Sequence, residues 1–363
     1  MSDKGKETSP ARVSPKESPK GSPKDSPTRT SALLPPQHWA DTAEGLPSDD
    51  DADSALGDAE SSTASISSSI LQYRTIHGRR FHSEQGDAHY WGPNDEQHSE
   101  SADINHHVQT LGLDGKLFLA PLDKDKVKKV VDIGTGTGIW AIDFADEFPG
   151  AEVIGTDISP IQPSWVPPNL QFEMDDCTKD WTFAPESLDY VHIRFLSGCI
   201  ADWTAIFKQA YRCLKPGGII ETMEPSPNME SDDGSVEETS AMGQWGKIFI
   251  EGGQKIGRPF TVYQDNTQNT ALEEAGFIDL HTHTYKSPIG AWPKDEKLRE
   301  IGQYVQLTME SDFEGIIVFM TSVLGNWTKE EVQVYIAHLR REIRDKEKHG
   351  WFWQKIVWAR KPE

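Results

Sequence analysis

The chain has 363 residues, with 58 Asp and Glu against 36 Lys and Arg, for a formal net charge of −22. A field of that sign repels nucleic-acid phosphates, so no nucleic-acid substrate is expected. The three cysteines, Cys177, Cys199 and Cys213, are too few and too odd in number for a disulfide framework and read as reduced thiols.

Residues 1–70 are expected to form an unstructured tail. Ser-Pro pairs recur at Ser9, Ser14, Ser18, Ser22 and Ser26, and residues 31–70 carry eight acids with no Lys or Arg. Proline removes a backbone donor and biases its predecessor to extended geometry, and the segment has little apolar surface to offset chain entropy. Its deletion is therefore expected to leave thermal stability almost unchanged. The start of the chain shows no apolar secretory segment. The longest apolar run, Gly315 to Gly325, is shorter than the roughly 20 residues of a membrane helix. No membrane partner is expected, and the expected location is cytoplasmic or nuclear.

Order is expected from residue 71, as one domain over 71–363 with a core at 120–225 and a cap with C-terminal elements at 226–363. Tyr73, Arg79, Arg80, His82, Tyr90 and Trp91 suit either a flap over a ligand or aromatic packing on a sheet edge. A helix follows, capped by Asn94 or Asp95, with Ile104, Val108 and Leu111 at helical spacing. His106 and His107 are adjacent and cannot share a helix face, so no metal is expected there.

From Val130 the pattern alternates. "KVVDIG", "AEVIGTDIS", "LQFEMDD", "LDYVHIRF" and "GIIETME" read as strands, and "GIWAIDFADEF" and "DWTAIFKQAYRCL" as helices. That order predicts an α/β, Rossmann-like parallel sheet with helices on both faces. Beyond Glu224 the pattern gives helices near 235–260 and 294–325, expected to cover the carboxyl edge of the sheet. "IDLHTHTYKSP" and "GWFWQKIVWARKPE" read as further strands. Between them, Thr328 and Glu331 form a capping box, and Val332, Tyr335, Leu339 and Ile343 form the inner stripe of a helix.

The loop "DIGTGTGIW" (Asp132 to Trp140) joins a strand to a helix. Glycine lets a ligand approach the backbone N–H groups closely. One register, Gly136, Gly138, Ala141 and then Asp157, satisfies the dinucleotide fingerprint, so the loop alone does not exclude NAD. Its neighbours argue otherwise. Asp132 beside the loop would repel a pyrophosphate. Asp157 ends the second strand, where it can accept ribose hydroxyls, and Asp175 and Asp176 end the third, where one can accept from an adenine amine. Carboxylates at successive strand ends suit a cationic adenosyl ligand, S-adenosylmethionine.

The motifs "VVDIGTGTG", "VIGTDIS", "FEMDDC", "LDYVHIR" and "LKPGG", in that order, resemble class I S-adenosylmethionine-dependent methyltransferases. "GRRFH", "YWGPNDEQ", "LFLAPL", "DISPIQPSWVPPN" and "LSGCIADW" resemble the fungal LaeA-type family, which contains regulators of secondary metabolism. The resemblance implies S-adenosyl-L-methionine as cofactor. It places Asp132, Gly134, Gly136 and Gly138 at the methionine end, Asp157 at the ribose, Ile158 beside the adenine, and Asp176 with the Cys177 amide at its edge. His192, two residues before Arg194 at the end of the fourth strand, is expected near the acceptor, either as a base or as a histidine that contacts the cofactor or is satisfied in the wall, and Glu224 is the weaker candidate base. Two roles follow: methyl transfer to a small-molecule or protein acceptor, or a cofactor-binding scaffold for a regulatory protein partner.

Overall fold

A computed structural model describes residues 1, 32–42, 73–83 and 90–363. Residues 2–31, 43–72 and 84–89, and with them most of the Ser-Pro and acidic stretch, lie outside the described residues. In chain order the elements begin with helix α1 (Gln37–Asp41), the antiparallel pair β1 (Arg74–Ile76) and β2 (Arg79–Phe81), and helix α2 (Glu96–Gly112). The alternating core follows: β3 (Lys129–Ile133), α3 (Ile139–Glu147), β4 (Glu152–Asp157), β5 (Leu170–Met174), β6 (Leu188–Arg194), α4 (Trp203–Cys213) and β7 (Leu214–Pro225). The remainder is α5 (Ala241–Ile256), α6 (Thr267–Ala275), β8 (Ile278–Pro288), α7 (Glu296–Ser311), α8 (Phe313–Leu324), α9 (Lys329–Arg344) and β9 (Trp351–Arg360).

The seven-stranded sheet has the order β5-β4-β3-β6-β7-β9-β8. Neighbours from β5 through β7 are parallel, and β9 runs antiparallel to both β7 and β8. Strand order reverses between β3 and β6, and a ligand crevice opens outside the carboxyl ends of parallel strands at such a point. The core strands are apolar because helices cover both faces. Trp140, Phe144 and Phe148 fill one face beside Tyr190, and Ile206, Phe207 and Ala210 of α4 fill the other with Ala271 and Leu272 of α6. A separate apolar core, with Trp245, Phe249, Phe313, Ile317, Tyr335 and Leu339, holds α5, α8 and α9 together as a cap. The Thr328–Glu331 capping box starts α9 as its sequence predicts.

Gly138 stands at the N-cap of α3 with φ +83°, and a Cβ there would lie 2.3 Å from Phe172 Cζ. The loop's third glycine therefore answers to a left-handed backbone and to packing on β5.

The 1–70 expectation needs correction at residues 33–42. The compact unit begins at Leu33. Trp39 is buried in the cap core, its ring 5.1 Å from that of Tyr335 and 5.6 Å from that of His338. The Leu33 amide donates to Glu251 (3.0 Å) and the Leu34 amide to Gln244 (2.7 Å). A chain truncated after Thr42 is expected to be less stable than one truncated after Ala32 by about 3 kcal/mol, the cost of emptying a buried tryptophan site. Thermal denaturation of the two truncations compares them directly; equal midpoints would contradict the docking of this segment.

Candidate active site

A cavity of ≈ 350 Å³ lies between the carboxyl ends of β3 to β7 and the helical cap. Gly134 and Gly136 line it beside Asp157 and Ile158, and Asp175, Asp176 and Cys177 continue the wall. Gly136 has φ +58° with nothing within 4 Å of an added Cβ, so its side of the loop faces open space. Asp157 organises this end: Oδ2 accepts from the Gly136 amide (2.8 Å) and Oδ1 from the Ser159 amide (2.9 Å). Each carboxylate oxygen keeps a lone pair for a ligand hydroxyl. Asp176 is committed to its own turn, accepting from the Thr178 amide (3.0 Å) and hydroxyl (2.6 Å). Among the described residues Asp175 accepts from the Asp176 amide alone, against two bonds from Thr178 on Asp176, and is the freer acceptor of the two. Burial pushes the Cys177 thiol up to about 12, so it stays neutral. A bare glycine backbone, a carboxylate at the end of β4, a free acid after β5 and the apolar Ile158 and Leu196 fit an adenosyl ligand.

Two expected site residues lie elsewhere. Asp132 pairs in register with His192 across β3 and β6, so the two side chains share a face. His192 Nδ1 donates to Asp132 Oδ1 (2.7 Å), and the Thr135 hydroxyl donates to Asp132 Oδ2 (2.6 Å). The imidazole also stacks on Trp140, with ring centroids 3.6 Å apart and planes 5° apart. Both residues are 2 % exposed and neither lines the cavity. Burial lowers the His192 pKa despite the carboxylate. The expectation of His192 as a base near the acceptor is therefore corrected. It is a neutral wall residue that, with Thr135, holds Asp132 behind the loop. Asp132 and Gly138 shape the loop and, like His192, are not among the residues lining the cavity. Glu224 lines the cavity, but its carboxylate accepts from the Leu196 amide (2.9 Å) and from the Ser197 amide (2.9 Å) and hydroxyl (2.7 Å), fixing the turn after β6.

Of the six flap candidates, Tyr90 and Trp91 line the cavity. His82 receives the Tyr90 amide on Nε2 (2.9 Å), and Trp91 Nε1 donates to the Ser197 carbonyl (2.9 Å). Arg79 donates through Nε and Nη2 to Asp95 (2.7 Å each), the N-cap of α2, and through Nη1 to Asp312, the N-cap of α8. Arg80 braces the same turn through the Asn94 carbonyl (2.8 Å), and its guanidinium lies over the Tyr73 ring. The hairpin therefore clamps two helices and presents Tyr90 and Trp91 to the cavity.

This clamp completes a chain the sequence reading missed. His98 Nδ1 donates to Asp312 Oδ2 (2.8 Å), and the Tyr90 hydroxyl lies 2.9 Å from His98 Nε2. A carboxylate only accepts, so His98 Nδ1 carries a proton, and Nε2 faces the Tyr90 hydroxyl. Carboxylate, imidazole and phenol lie in line at the cavity wall, the arrangement that orients a base where one is used. The only local signal was a histidine three residues after the Asp95 cap.

Residues 104–282 match a family described as a methyltransferase domain. "Methyltransferase pytC" of Aspergillus terreus is 39% identical over 314 residues, covering 86% of this chain and 95% of that protein. "Secondary metabolism regulator LAE1" of Cochliobolus heterostrophus is 31% identical, covering 76% and 90%. "Probable methyltransferase tdiE" of Emericella nidulans is 33% identical, covering 73% and 82%. The chain is a member of the LaeA-type family of S-adenosylmethionine-dependent methyltransferases. The strand order and the antiparallel β9 fit a class I methyltransferase sheet, and the methyltransferase uses S-adenosyl-L-methionine as its cofactor.

Asp157 is expected to make cofactor binding by this methyltransferase pH-dependent. Burial, opposed by the Ser159 and Gly136 amides, raises its carboxyl to about 6. A raised carboxyl contributes stability to the ligand-free fold at low pH and loses it as pH climbs through about 6. Ribose hydroxyls donate best to the ionised form, so bound cofactor favours proton release. Cofactor affinity is expected to fall as pH drops below about 6. Calorimetry near that pH, in buffers of different ionisation enthalpy, should show protons released on binding. Flat affinity across the acid range would contradict the assignment of Asp157 to the ribose.

Proposed function

We propose that this enzyme methylates a hydroxyl or N–H group on a small, mainly apolar molecule, with Tyr90, His98 and Asp312 taking up the acceptor's proton. The observation that carries this reading is the continuity of the cavity. The glycine loop opens into a chamber lined by Trp91, Trp245, Phe249, Phe260 and Phe352 under the cap. Aromatic walls bind apolar rings and exclude water from a reaction that rests mainly on positioning. Gly134, Gly136, Asp157, Ile158 and Asp175 would hold S-adenosylmethionine. When bound, it supplies a methyl group activated on a sulfonium.

The chain's own part is proton transfer. Asp312 keeps the proton on His98 Nδ1 and leaves Nε2 basic. The Tyr90 oxygen accepts the proton of the acceptor as its own hydroxyl proton passes to Nε2. The resulting imidazolium faces Asp312, which is itself held by Arg79 and by the Gly315 amide (3.0 Å). Burial keeps the Tyr90 phenol neutral, so it relays a proton without ionising.

Relatives named as secondary metabolism regulators make a protein acceptor or a scaffold the competing reading. Radiolabelled S-adenosylmethionine incubated with the enzyme and an extract of a metabolite-producing fungus separates them. Label is expected in the organic-soluble small-molecule fraction. Label confined to protein would overturn the proposal. In cells, a Gly136→Val variant that cannot bind cofactor yet fully restores a deletion strain would favour the scaffold.

A further inference from the structure

The far wall of the chamber carries two polar side chains with nothing to bind. Ser287 on β8 is 1% exposed and Gln354 on β9 is 5% exposed, and both line the cavity. Among the described residues, the Ser287 hydroxyl and the Gln354 Oε1 have no hydrogen-bond partner. The β8–β9 register pairs Tyr285 with Gln354 and Ser287 with Phe352. Alternation along the strands therefore puts Tyr285, Ser287, Phe352 and Gln354 on one face. Their polar neighbours are satisfied. The Tyr285 hydroxyl donates to Gln109 (2.8 Å), and the Ser226 hydroxyl accepts from Gln264 (2.7 Å). Buried polar groups are almost always paired, and an orphan costs stability unless something supplies its partner. Two orphans together on a cavity wall mark a place where a ligand supplies it.

We infer that Ser287 and Gln354 form the distal recognition site for the methyl acceptor, and that they select a molecule carrying a neutral hydroxyl or amide N–H. This rests on the small-molecule reading above and specifies its substrate class. The pair is uncharged, so it offers a carboxylate or ammonium no counter-charge. Gln354 Oε1 needs a donor, and the Ser287 hydroxyl can donate or accept. A ligand group that donates satisfies both; a bare hydrocarbon leaves both unpaired. Position sets a length. Strand β9 stands two places from β6 in the sheet, so the polar group sits about 10 Å across from the loop that follows β6. That is the span of a two-ring compound with a polar group at one end.

The test uses the full-length enzyme saturated with S-adenosylhomocysteine, so that no methyl transfer occurs. Naphthalene, 2-naphthol and 2-naphthoate are titrated by ligand-observed NMR. The wild type is expected to prefer 2-naphthol to naphthalene by about tenfold, the worth of one good hydrogen bond to a buried polar group. Ser287→Ala and Gln354→Met should bring the ratio near one while naphthalene still binds. The variants should also match or exceed the wild type in thermal midpoint without ligand, since each removes an unpaired buried group. Equal binding of naphthalene and 2-naphthol to the wild type would overturn this inference alone, as would tightest binding of 2-naphthoate. Lowered thermal midpoints with an unchanged ratio would assign the pair a purely structural role and also overturn it. If neither neutral probe binds while S-adenosylhomocysteine does, the small-molecule reading of the chamber fails, and this inference fails with it.

Discussion

His98→Ala is expected to lower turnover by roughly 10²–10⁴, the usual contribution of a positioned general base, while S-adenosylhomocysteine binds as in the wild type. The split follows from placement. His98 lies on α2 and lines the cavity, bonded to Asp312 of the cap and to Tyr90. The proposed cofactor contacts lie on the loops after β3, β4 and β5. Single-turnover rates measure the first quantity and calorimetry the second. Added imidazole should partly restore the rate, because the vacated space adjoins the Tyr90 hydroxyl. Tyr90→Phe should also slow turnover, since the relay passes through that oxygen. Asp312→Asn is the less clean variant. Asp312 also caps α8 and binds Arg79, so stability falls together with activity. Turnover by His98→Ala within a few-fold of wild type would remove the relay from the mechanism. His192→Ala, by contrast, should act through stability, because its ring stacks on Trp140 and donates to Asp132, away from the cavity.

Asp157→Ala should weaken cofactor binding by roughly 10²–10³. A hydrogen bond to a charged group contributes about 1.5–3 kcal/mol, and two ribose hydroxyls would donate to this carboxylate. The substitution also strips the acceptor from the Gly136 and Ser159 amides, which loosens the loop that approaches the ligand. Asp157→Asn keeps one acceptor and should fall between the two. Calorimetric titration with S-adenosylhomocysteine reads all three proteins. Affinity of the alanine variant within tenfold of wild type would place the ribose elsewhere.

The sheet was legible because its signals are local. Apolar runs such as Val130-Val131 and Ile219-Ile220 and the Thr328 cap each act within a few residues. The glycine loop and Asp157 were legible for the same reason: a strand end, a left-handed backbone and a carboxylate at the next strand end follow from chain order. What such signals omit is which side chains meet. Asp132 and His192 each read as a ligand contact. Parallel register set them opposite each other, and the histidine satisfied the acid. Trp39 was hidden by the composition around it, because one aromatic buried in a distant cleft leaves an average over seventy residues almost unchanged.

The catalytic candidates belong wholly to tertiary structure. His98 and Asp312 are 214 positions apart, and neither looked unusual at its own place on a helix. Ser287 and Gln354 read as ordinary alternating strand residues, and only the folded packing shows that Ser287 Oγ and Gln354 Oε1 lack a partner among the described residues. The sequence by itself determined the sheet, the cofactor loop and the family, because hydrophobic period and backbone constraint act over a few residues. The folded chain decided the proposed base and the proposed acceptor wall, because hydrogen-bond partners are settled by distances between elements far apart in the chain.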